Sequence, residues 1–78
     1  MTLKIISADA VLYSGEVDSV TLPGVMGEFT VLRKHASLLA ALAAGNIRYT
    51  ATGGAEQSTA ITGGIVDVDS NVVSVCVY

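Results

Sequence analysis

The sequence predicts a small all-β domain, either a sandwich or a barrel, and three observations lead to this prediction. Apolar and polar residues alternate with a period of two over most of the chain, a pattern typical of half-buried strands. Turn-forming residues recur about every 8–12 residues. No series of segments is long enough to connect parallel strands by crossovers. With 78 residues, the chain is predicted to form one domain, residues 1–78.

The first part of the chain predicts short strands at Thr2–Ser7, Val11–Tyr13, Val17–Leu22 and Phe29–Leu32. Ser14 and Gly15 predict a turn between the second and third of these strands. Pro23 and Gly24 predict the end of the third strand, because proline cannot donate a hydrogen bond to a ladder and glycine permits a positive φ.

The segment from Ala36 to Gly45 has two competing interpretations. Its alanine and leucine content favours a helix that ends at Gly45. A helix of about nine residues is marginal without tertiary support, and strands are predicted on both sides. The residues alone leave helix and strand open.

The second half predicts strands at Ile47–Thr52, Ser58–Thr62, Ile65–Val68 and Val72–Tyr78. Gly53-Gly54 predicts a hairpin turn, and Asp69-Ser70-Asn71 predicts another turn. Gly63-Gly64 predicts a break, as a bulge or as a corner between sheets. Cys76 is predicted to be a small buried apolar residue.

Composition narrows the classes of function. Hydrophobic residues make up 51% of the chain, which argues against disorder, and the net charge of −3 argues against nucleic acid or anionic lipid as a partner. The single cysteine, Cys76, excludes an intrachain disulfide and a multi-thiolate zinc site. Only 14% of the residues are charged, which predicts that some apolar surface is reserved for a partner.

Candidate catalytic and metal-binding residues are few. His35 is the only histidine, and no G-x-S-x-G pattern presents a nucleophilic serine to it. Asp67 and Asp69 share a strand face beside a turn, which predicts solvated carboxylates more than acid–base chemistry. No catalytic residue, metal site or cofactor is therefore expected.

The loop from Pro23 to Glu28 places Val25 and Met26 at an apparent tip. This loop could be tucked in, with Met26 filling a gap, or it could be an apolar knob that docks onto a partner. The residues alone do not decide between these two interpretations.

Several motifs in register resemble one family over essentially the whole chain. The motifs are Tyr13–Val17, Val20–Gly24, Gly27–Leu32, His35–Leu39, Gly45–Arg48, Ile61–Val68 and Asn71–Val75. Their order and spacing resemble the N-terminal domain of the epsilon subunit of rotary ATP synthases, the delta subunit in mitochondria. The resemblance implies a flattened antiparallel β-sandwich of about ten short strands, with the Ser37–Ala44 segment extended.

The resemblance also implies a function and two contact regions. It implies a non-catalytic rotor subunit of the central stalk that links the gamma subunit to the membrane c-ring and couples proton transport to ATP synthesis. The c-ring side would be Gly24, Val25, Met26, Gly27 and Glu28, with Glu28 as the partner of a basic residue on the ring. The gamma side would be Ser7, His35, Leu38 and Leu39. The implied location is the cytoplasmic face of a bacterial inner membrane, or a plastid thylakoid, without membrane insertion.

The chain departs from the family at several positions. The family often has glycine at the position of Thr30, Pro-Gly at Arg33-Lys34 and proline at Ser37, so the loop before His35 is expected to be more charged. Most members continue past the position of Tyr78 into an inhibitory helical hairpin, which is not expected in this chain. Two alternatives stay open: an adaptor that binds a peptide on a sheet edge, and a small hydrolase built around His35.

Overall fold

The computed structural model describes all of residues 1–78 and contains eight β-strands and no helix. The strands are β1 (Thr2–Ile6), β2 (Val11–Gly24), β3 (Gly27–Leu32), β4 (Leu38–Leu42), β5 (Gly45–Ala51), β6 (Glu56–Ile61), β7 (Gly64–Asp69) and β8 (Val72–Val77). The all-β class is confirmed, with eight strands where about ten were expected. The residues alone left helix and strand open for the segment at 37–44. The structure shows that this segment contains β4 and is extended.

The turn predicted at Ser14 and Gly15 is wrong, because both residues lie inside the continuous strand β2. Ser14 pairs with Lys4 and Gly15 pairs with Leu3 of β1. A Cβ atom at Gly15 would lie 2.9 Å from the hydroxyl of Tyr13. The glycine therefore makes room for the tyrosine ring and does not turn the chain.

The strand end predicted at Pro23-Gly24 is confirmed, because β2 ends at Gly24, although Pro23 itself still lies within the strand. Pro23 pairs with Glu28 of β3, and its carbonyl oxygen accepts a hydrogen bond from the backbone N–H of Ala43 at 2.7 Å. In an antiparallel ladder the N–H and C=O of one residue point to the same neighbour. The missing N–H of Pro23 therefore faces the chain at Ala43 and leaves the ladder with β3 intact.

All eight strands are hydrogen-bonded in one continuous network, in which β2 joins two groups of strands. The first half of β2 pairs with β1, and β8, β7 and β4 follow in that order; these strands form the five-strand sheet. Its second half lies between β3 and β5, with β6 beyond β5; these strands form the four-strand sheet. The pairing with β5 shifts between Val17 and Ser19, and such a bulge bends a strand so that it can serve both sheets.

Seven of the eight strand pairings are antiparallel, and the pair β1–β8 is parallel. In that pair Ile6 lies beside Cys76. The parallel pairing joins the two ends of the sequence inside one sheet. Gly24 also pairs with Leu42, which brings the far end of β2 back to β4.

The inward-facing side chains of both sheets form one apolar core without a buried polar or charged residue. Its members, at most 8% exposed, are Met1, Leu3, Ile5, Val17, Val20, Leu22, Val31, Leu42, Ile47, Tyr49, Ile61, Val66, Val68, Val73 and Val75. The alternation expected in β1, β2, β5 and β8 is confirmed by this list. Cys76, expected to be buried, is exposed, because Val75 and Val77 on either side of it point inward.

The break predicted at Gly63-Gly64 is confirmed, since β6 ends at Ile61 and β7 begins at Gly64. A Cβ atom at Gly64 would overlap the carbonyl oxygen of Cys76 in the adjacent strand. The second glycine therefore permits a close approach of β7 and β8 at this corner.

We expect the leucine pair Leu22 and Leu32 to separate core burial from surface exposure. Leu22 is fully buried on β2, whereas Leu32 is 58% exposed on the neighbouring strand β3. Leu22→Ala should lower the free energy of unfolding by about 2–5 kcal/mol, and Leu32→Ala by less than about 0.5 kcal/mol. Urea denaturation followed by circular dichroism measures both. Equal losses would contradict the inward orientation of Leu22.

We expect the free energy of unfolding to decrease at low pH, in part because Glu16 becomes protonated. The hydroxyl of Thr2 donates a hydrogen bond of 2.5 Å to the Glu16 carboxylate and holds its pKa below the ordinary value. The pKa of Glu16 is therefore lower in the folded than in the unfolded chain. The ionised carboxylate stabilises the folded chain, and this stabilisation is fully present above the unfolded pKa. It is lost as the pH falls through the folded pKa.

Thr2→Val should raise the pKa of Glu16 and make stability less sensitive to acid, as measured by NMR titration of the carboxyl and by acid unfolding. Thr30→Val, which removes a threonine hydroxyl from β3, should leave the Glu16 titration unchanged. A Glu16 titration that does not move in Thr2→Val would refute the role of this hydrogen bond.

Candidate partner-binding surfaces

The turn at Val25 and Met26 is apolar and projects into solvent as a knob. Val25 is 58% and Met26 98% exposed. The backbone N–H of Val25 donates to the carbonyl oxygen of Ala41 at 3.0 Å, which ties the turn to β4. Gly27 takes the positive φ of 126° with which the turn closes. Of the two interpretations of this loop, the exposed knob is the one that the structure has.

Glu28, expected to meet a basic residue of a partner, already has a basic neighbour within the chain. Its Oε1 lies 2.9 Å from Nη2 of Arg48. The two side chains bridge β3 and β5 across β2 on the outer face of the four-strand sheet, and both are about half exposed. A basic group of a partner would therefore have to compete with Arg48 for this carboxylate.

Leu38 and Leu39 face opposite sides of β4, as adjacent strand residues must. Leu38 pairs with Val68 and packs against the core. Leu39 pairs with Asp67 and is 74% exposed on the outer face of the five-strand sheet. Of these two leucines, Leu39 is the one that a partner could contact.

His35 lies in an exposed loop between β3 and β4. Its Nδ1–H donates to the carbonyl oxygen of Ala36 at 2.6 Å. The hydroxyl of Ser37 donates directly to Asp69 at 2.9 Å, so the histidine does not stand between a serine and a carboxylate. The arrangement that activates a serine nucleophile, with histidine bonded to both groups, is not made here.

The loop of His35 is fixed to the turn between β7 and β8. Besides the bond from Ser37 to Asp69, the backbone N–H of Lys34 donates to the side-chain oxygen of Asn71 at 2.8 Å. This loop therefore lies at the end of β4 opposite the Val25–Met26 turn. The structure brings Leu39 close to Met26 and places His35 away from both Met26 and Ser7.

An apolar row crosses the outer face of the five-strand sheet near the Val25–Met26 turn. The register places one residue from each strand side by side in the order Ala41, Ile65, Cys76, Ile6 and Val11; we call these five residues the apolar band. All five are exposed, Val11 by 66% and Ile65 by 51%. Five adjacent strands span about 19 Å at the usual spacing. Ser7 follows Ile6 directly and borders the band.

The outer face of the four-strand sheet is mostly polar, although Leu32 is exposed on it. Thr21 and Thr30 face each other there, with their hydroxyls 2.8 Å apart. Arg48 pairs with Ser58 in the adjoining ladder and with Glu28 by charge. The two outer faces therefore differ in composition. The contiguous apolar row lies on the five-strand sheet, and burial of this row by another molecule would be favourable.

The apolar band was missed in the sequence, although a signal for it exists. Ile5-Ile6, Ile65-Val66 and Val75-Cys76 are apolar pairs that break the alternation expected of a strand with one buried face. Such pairs predict a strand that is apolar on both faces. Their alignment into one row depends on the register between β1 and β8, which lie at opposite ends of the sequence.

These features define a class of protein: a small β-sandwich with a contiguous exposed apolar row on one outer face. The chain has no group of three or more histidine, cysteine or acidic side chains that could bind a metal ion. No helix long and apolar enough to cross a membrane is found.

The family model for the β-sandwich domain of the ATP synthase delta/epsilon chain matches residues 1–78. The chain belongs to this family, which confirms the resemblance. It is similar to the ATP synthase epsilon chain of Chlorobaculum tepidum, with 41% identity over 70 residues that cover 90% of this chain and 80% of the relative. It is also similar to that of Sulfurimonas denitrificans, with 43% identity over 77 residues that cover 99% and 59%.

Solved structures agree with the fold. The chain superimposes on a chain in the structure of the Euglena gracilis mitochondrial ATP synthase, OSCP/F1/c-ring, with a TM-score of 0.86 and 25% identity. The superposition covers 96% of this chain and 48% of the Euglena chain. The central stalk and c-ring structure from Tetrahymena thermophila gives a TM-score of 0.81 at 18% identity over 99% and 62%, which bears on the fold alone. The chain thus spans about half to four-fifths of the length of these relatives.

We expect charge substitutions at Leu38 and Leu39 to have unequal effects. Leu38→Asp places a carboxylate against the core and should lower the free energy of unfolding by several kcal/mol, about 3 or more. Leu39→Asp points into solvent, where its carboxylate lies opposite that of Asp67, and should lower it by about 1 kcal/mol or less. Thermal unfolding of the two variants measures the difference. Matching melting temperatures would contradict the strand assignment of β4.

Proposed function

We propose that this chain is a non-catalytic rotor domain of a rotary ATP synthase, held between the gamma subunit and the membrane c-ring. Family membership and the epsilon-chain relatives support the assignment. The observation on which it depends most is the apolar band, because an exposed apolar row beside a polar opposite face fits a surface that another protein covers.

The gamma subunit is the partner that we assign to the outer face of the five-strand sheet. Ser7 and Leu39, two of the residues that the resemblance places near gamma, border the band at its two ends. The rest of this face has one lysine and three carboxylates, Lys4, Glu16, Asp67 and Asp69. A partner surface with an apolar centre and a basic rim would complement it.

The c-ring is the partner that we assign to the Val25–Met26 turn. The turn projects beside the band, so one body could contact shaft and ring at neighbouring surfaces. Standard interfaces take about 800 Å² per partner, and the chain exposes 4407 Å² in total. Two such contacts would cover more than a third of it, which accounts for the low fraction of charged residues.

The proposed role is mechanical. A domain fixed to both gamma and the ring rotates with them and helps to transmit torque between ion transport and ATP synthesis, without a reacting group of its own. The proposed location follows: the face of the coupling membrane that bears the catalytic sector, cytoplasmic in a bacterium, or a plastid thylakoid.

The gamma contact can be tested with one charge placed on each outer face. Ile65→Asp lies within the band, between Ala41 and Cys76, and Ser58→Asp is its matched control on the exposed outer face of the four-strand sheet. We expect Ile65→Asp to weaken binding to purified gamma at least tenfold, because it desolvates a carboxylate in an apolar interface. Ser58→Asp should bind as the unaltered chain does.

Binding is measured by isothermal titration calorimetry after circular dichroism has shown both variants to be folded. If the unaltered chain does not bind gamma, the proposed function is wrong. If it binds and Ile65→Asp binds equally well, gamma contacts another surface. Capture of extended peptides along β3 or β6, in place of gamma, would favour the adaptor alternative.

A further inference from the structure

The outer face of the five-strand sheet has a second row of side chains beside the apolar band. The register places the next outward-facing residues of these strands side by side in the order Leu39, Asp67, Ser74, Lys4 and Ser14; we call these five residues the charged row. Asp67 and Lys4 are exposed, and neither belongs to the two ion pairs within the chain. A negative and a positive group without a charged partner therefore flank Ser74 in this row.

The apolar band is symmetrical about β8, the middle strand of the five-strand sheet. Cys76 on β8 has Ile6 of β1 on one side and Ile65 of β7 on the other, each one strand away. A two-fold axis that runs along β8 between two facing copies exchanges β1 with β7. It therefore places Ile6 of each copy on Ile65 of the other, and Cys76 on Cys76, as a self-complementary interface requires.

The same axis pairs opposite charges. Lys4 of β1 and Asp67 of β7 lie on the two sides of Ser74, each one strand away. The axis therefore sets Lys4 of each copy opposite Asp67 of the other, which makes two ion pairs in one dimer. Sheets that pack face to face lie about 10 Å apart, a distance that a lysine and an aspartate side chain span together. The opposite outer face offers no such match, because Glu28 and Arg48 already pair with each other.

The size of the face suits a dimer of moderate affinity. The molecule measures 28 × 24 × 18 Å, and the 18 Å direction matches two sheets about 10 Å apart with their outer side chains. A broad face is therefore 28 by 24 Å, about 670 Å² in projection. Standard interfaces bury about 800 Å² per partner, and adventitious contacts mostly less than about 400 Å². Because a contact over most of this face lies between these values, we expect a dissociation constant in the micromolar range.

We propose that two unassembled copies of this chain pair through the outer faces of their five-strand sheets, about a two-fold axis along β8. The apolar band forms the centre of the interface, and the two pairs of Lys4 with Asp67 fix its register. The second copy covers an apolar row that is otherwise exposed to water. The inference goes beyond the proposed function, because it concerns the chain before it meets gamma.

Charge reversal tests this alignment. Lys4→Asp and Asp67→Lys, made singly, each set like charges opposite one another at two positions and should raise the dissociation constant of the dimer at least tenfold. When the two variants are mixed in equal amounts, their charges are complementary at both positions. They should then form a heterodimer with a dissociation constant within threefold of that of the unaltered dimer. Glu56→Lys, on the exposed outer face of the four-strand sheet, makes the same change of charge as Asp67→Lys and should leave the dimer within threefold.

Sedimentation equilibrium at a series of chain concentrations measures each dissociation constant, after circular dichroism has shown the variants to be folded. A chain that stays monomeric throughout overturns the inference. A dimer that both reversals leave unchanged also overturns it, because the copies then meet through another surface. Two single variants that stay monomeric when mixed, or a loss in Glu56→Lys equal to that in Asp67→Lys, would exclude the proposed pairing of charges.

Cys76 gives a second readout, because it is the only cysteine, is exposed and lies on the proposed axis. A short bismaleimide, which adds one thiol to each of its two double bonds, should link two copies of the unaltered chain at a concentration near the dissociation constant. Asp67→Lys should lower the yield of linked dimer, and mixing it with Lys4→Asp should restore the yield. Equal yields from the unaltered chain and from Asp67→Lys alone would contradict the position of Cys76 at the interface.

The outcomes for this inference and for the proposed function are distinct. A chain that forms the dimer and does not bind gamma refutes only the proposed function. A chain that binds gamma and never dimerises refutes only the dimer.

Discussion

The position of every surface described above depends on β2, the one strand that is hydrogen-bonded into both sheets. Its first half pairs with β1 and its second half with β3 and β5, and the bulge between Val17 and Ser19 redirects the strand from one sheet to the other. Val11 at its beginning ends the apolar band, and Gly24 at its end opens the Val25–Met26 turn. A slip of one residue in β2 would turn Val20 and Leu22 to solvent and misplace both surfaces together.

The sequence predicts the alternation of inward and outward residues within a strand. It does not predict features that depend on how side chains and strands pack against one another. Alternation predicted the half-buried strands that contain Leu3, Ile5, Ile47 and Tyr49, because the period of two is a local property of each strand, and the structure buries all four side chains. The turn predicted at Ser14-Gly15 was wrong because the same glycine can serve a turn or make room for a ring, and only the position of Tyr13 decides which. Cys76 is exposed although its hydrophobicity predicts burial, because it alternates with the inward-facing Val75 and Val77.

The candidate surfaces show the same division between local and long-range information. The loop sequence places Val25 and Met26 near a tip but leaves open whether they are tucked in or exposed. The answer depends on the distant strand β4, which the contact of Gly24 with Leu42 brings beside the turn. The pairing of Glu28 with Arg48 was hidden for a similar reason, because β3 and β5 are joined only through β2.

A domain of this size has to divide its apolar residues between its own core and its partners. Chains of about this length bury only about 60% of the surface that they expose when unfolded, so the core alone gives a narrow margin of stability. Here the inward residues supply the core, and Ile6, Ile65 and Cys76 occupy outward positions of the same strands, where they add little to folding.

Many of the outward apolar residues lie on one face and at one end, and Leu32 is exposed on the other face. That other face keeps its threonines and the Glu28–Arg48 pair in water. The Val25–Met26 turn adjoins the band and is tied to β4 by the backbone hydrogen bonds from Val25 to Ala41 and from Ala43 to Pro23. In the proposed role, a force applied at the turn would pass through these bonds to the five-strand sheet, so that the domain would move as one body with shaft and ring.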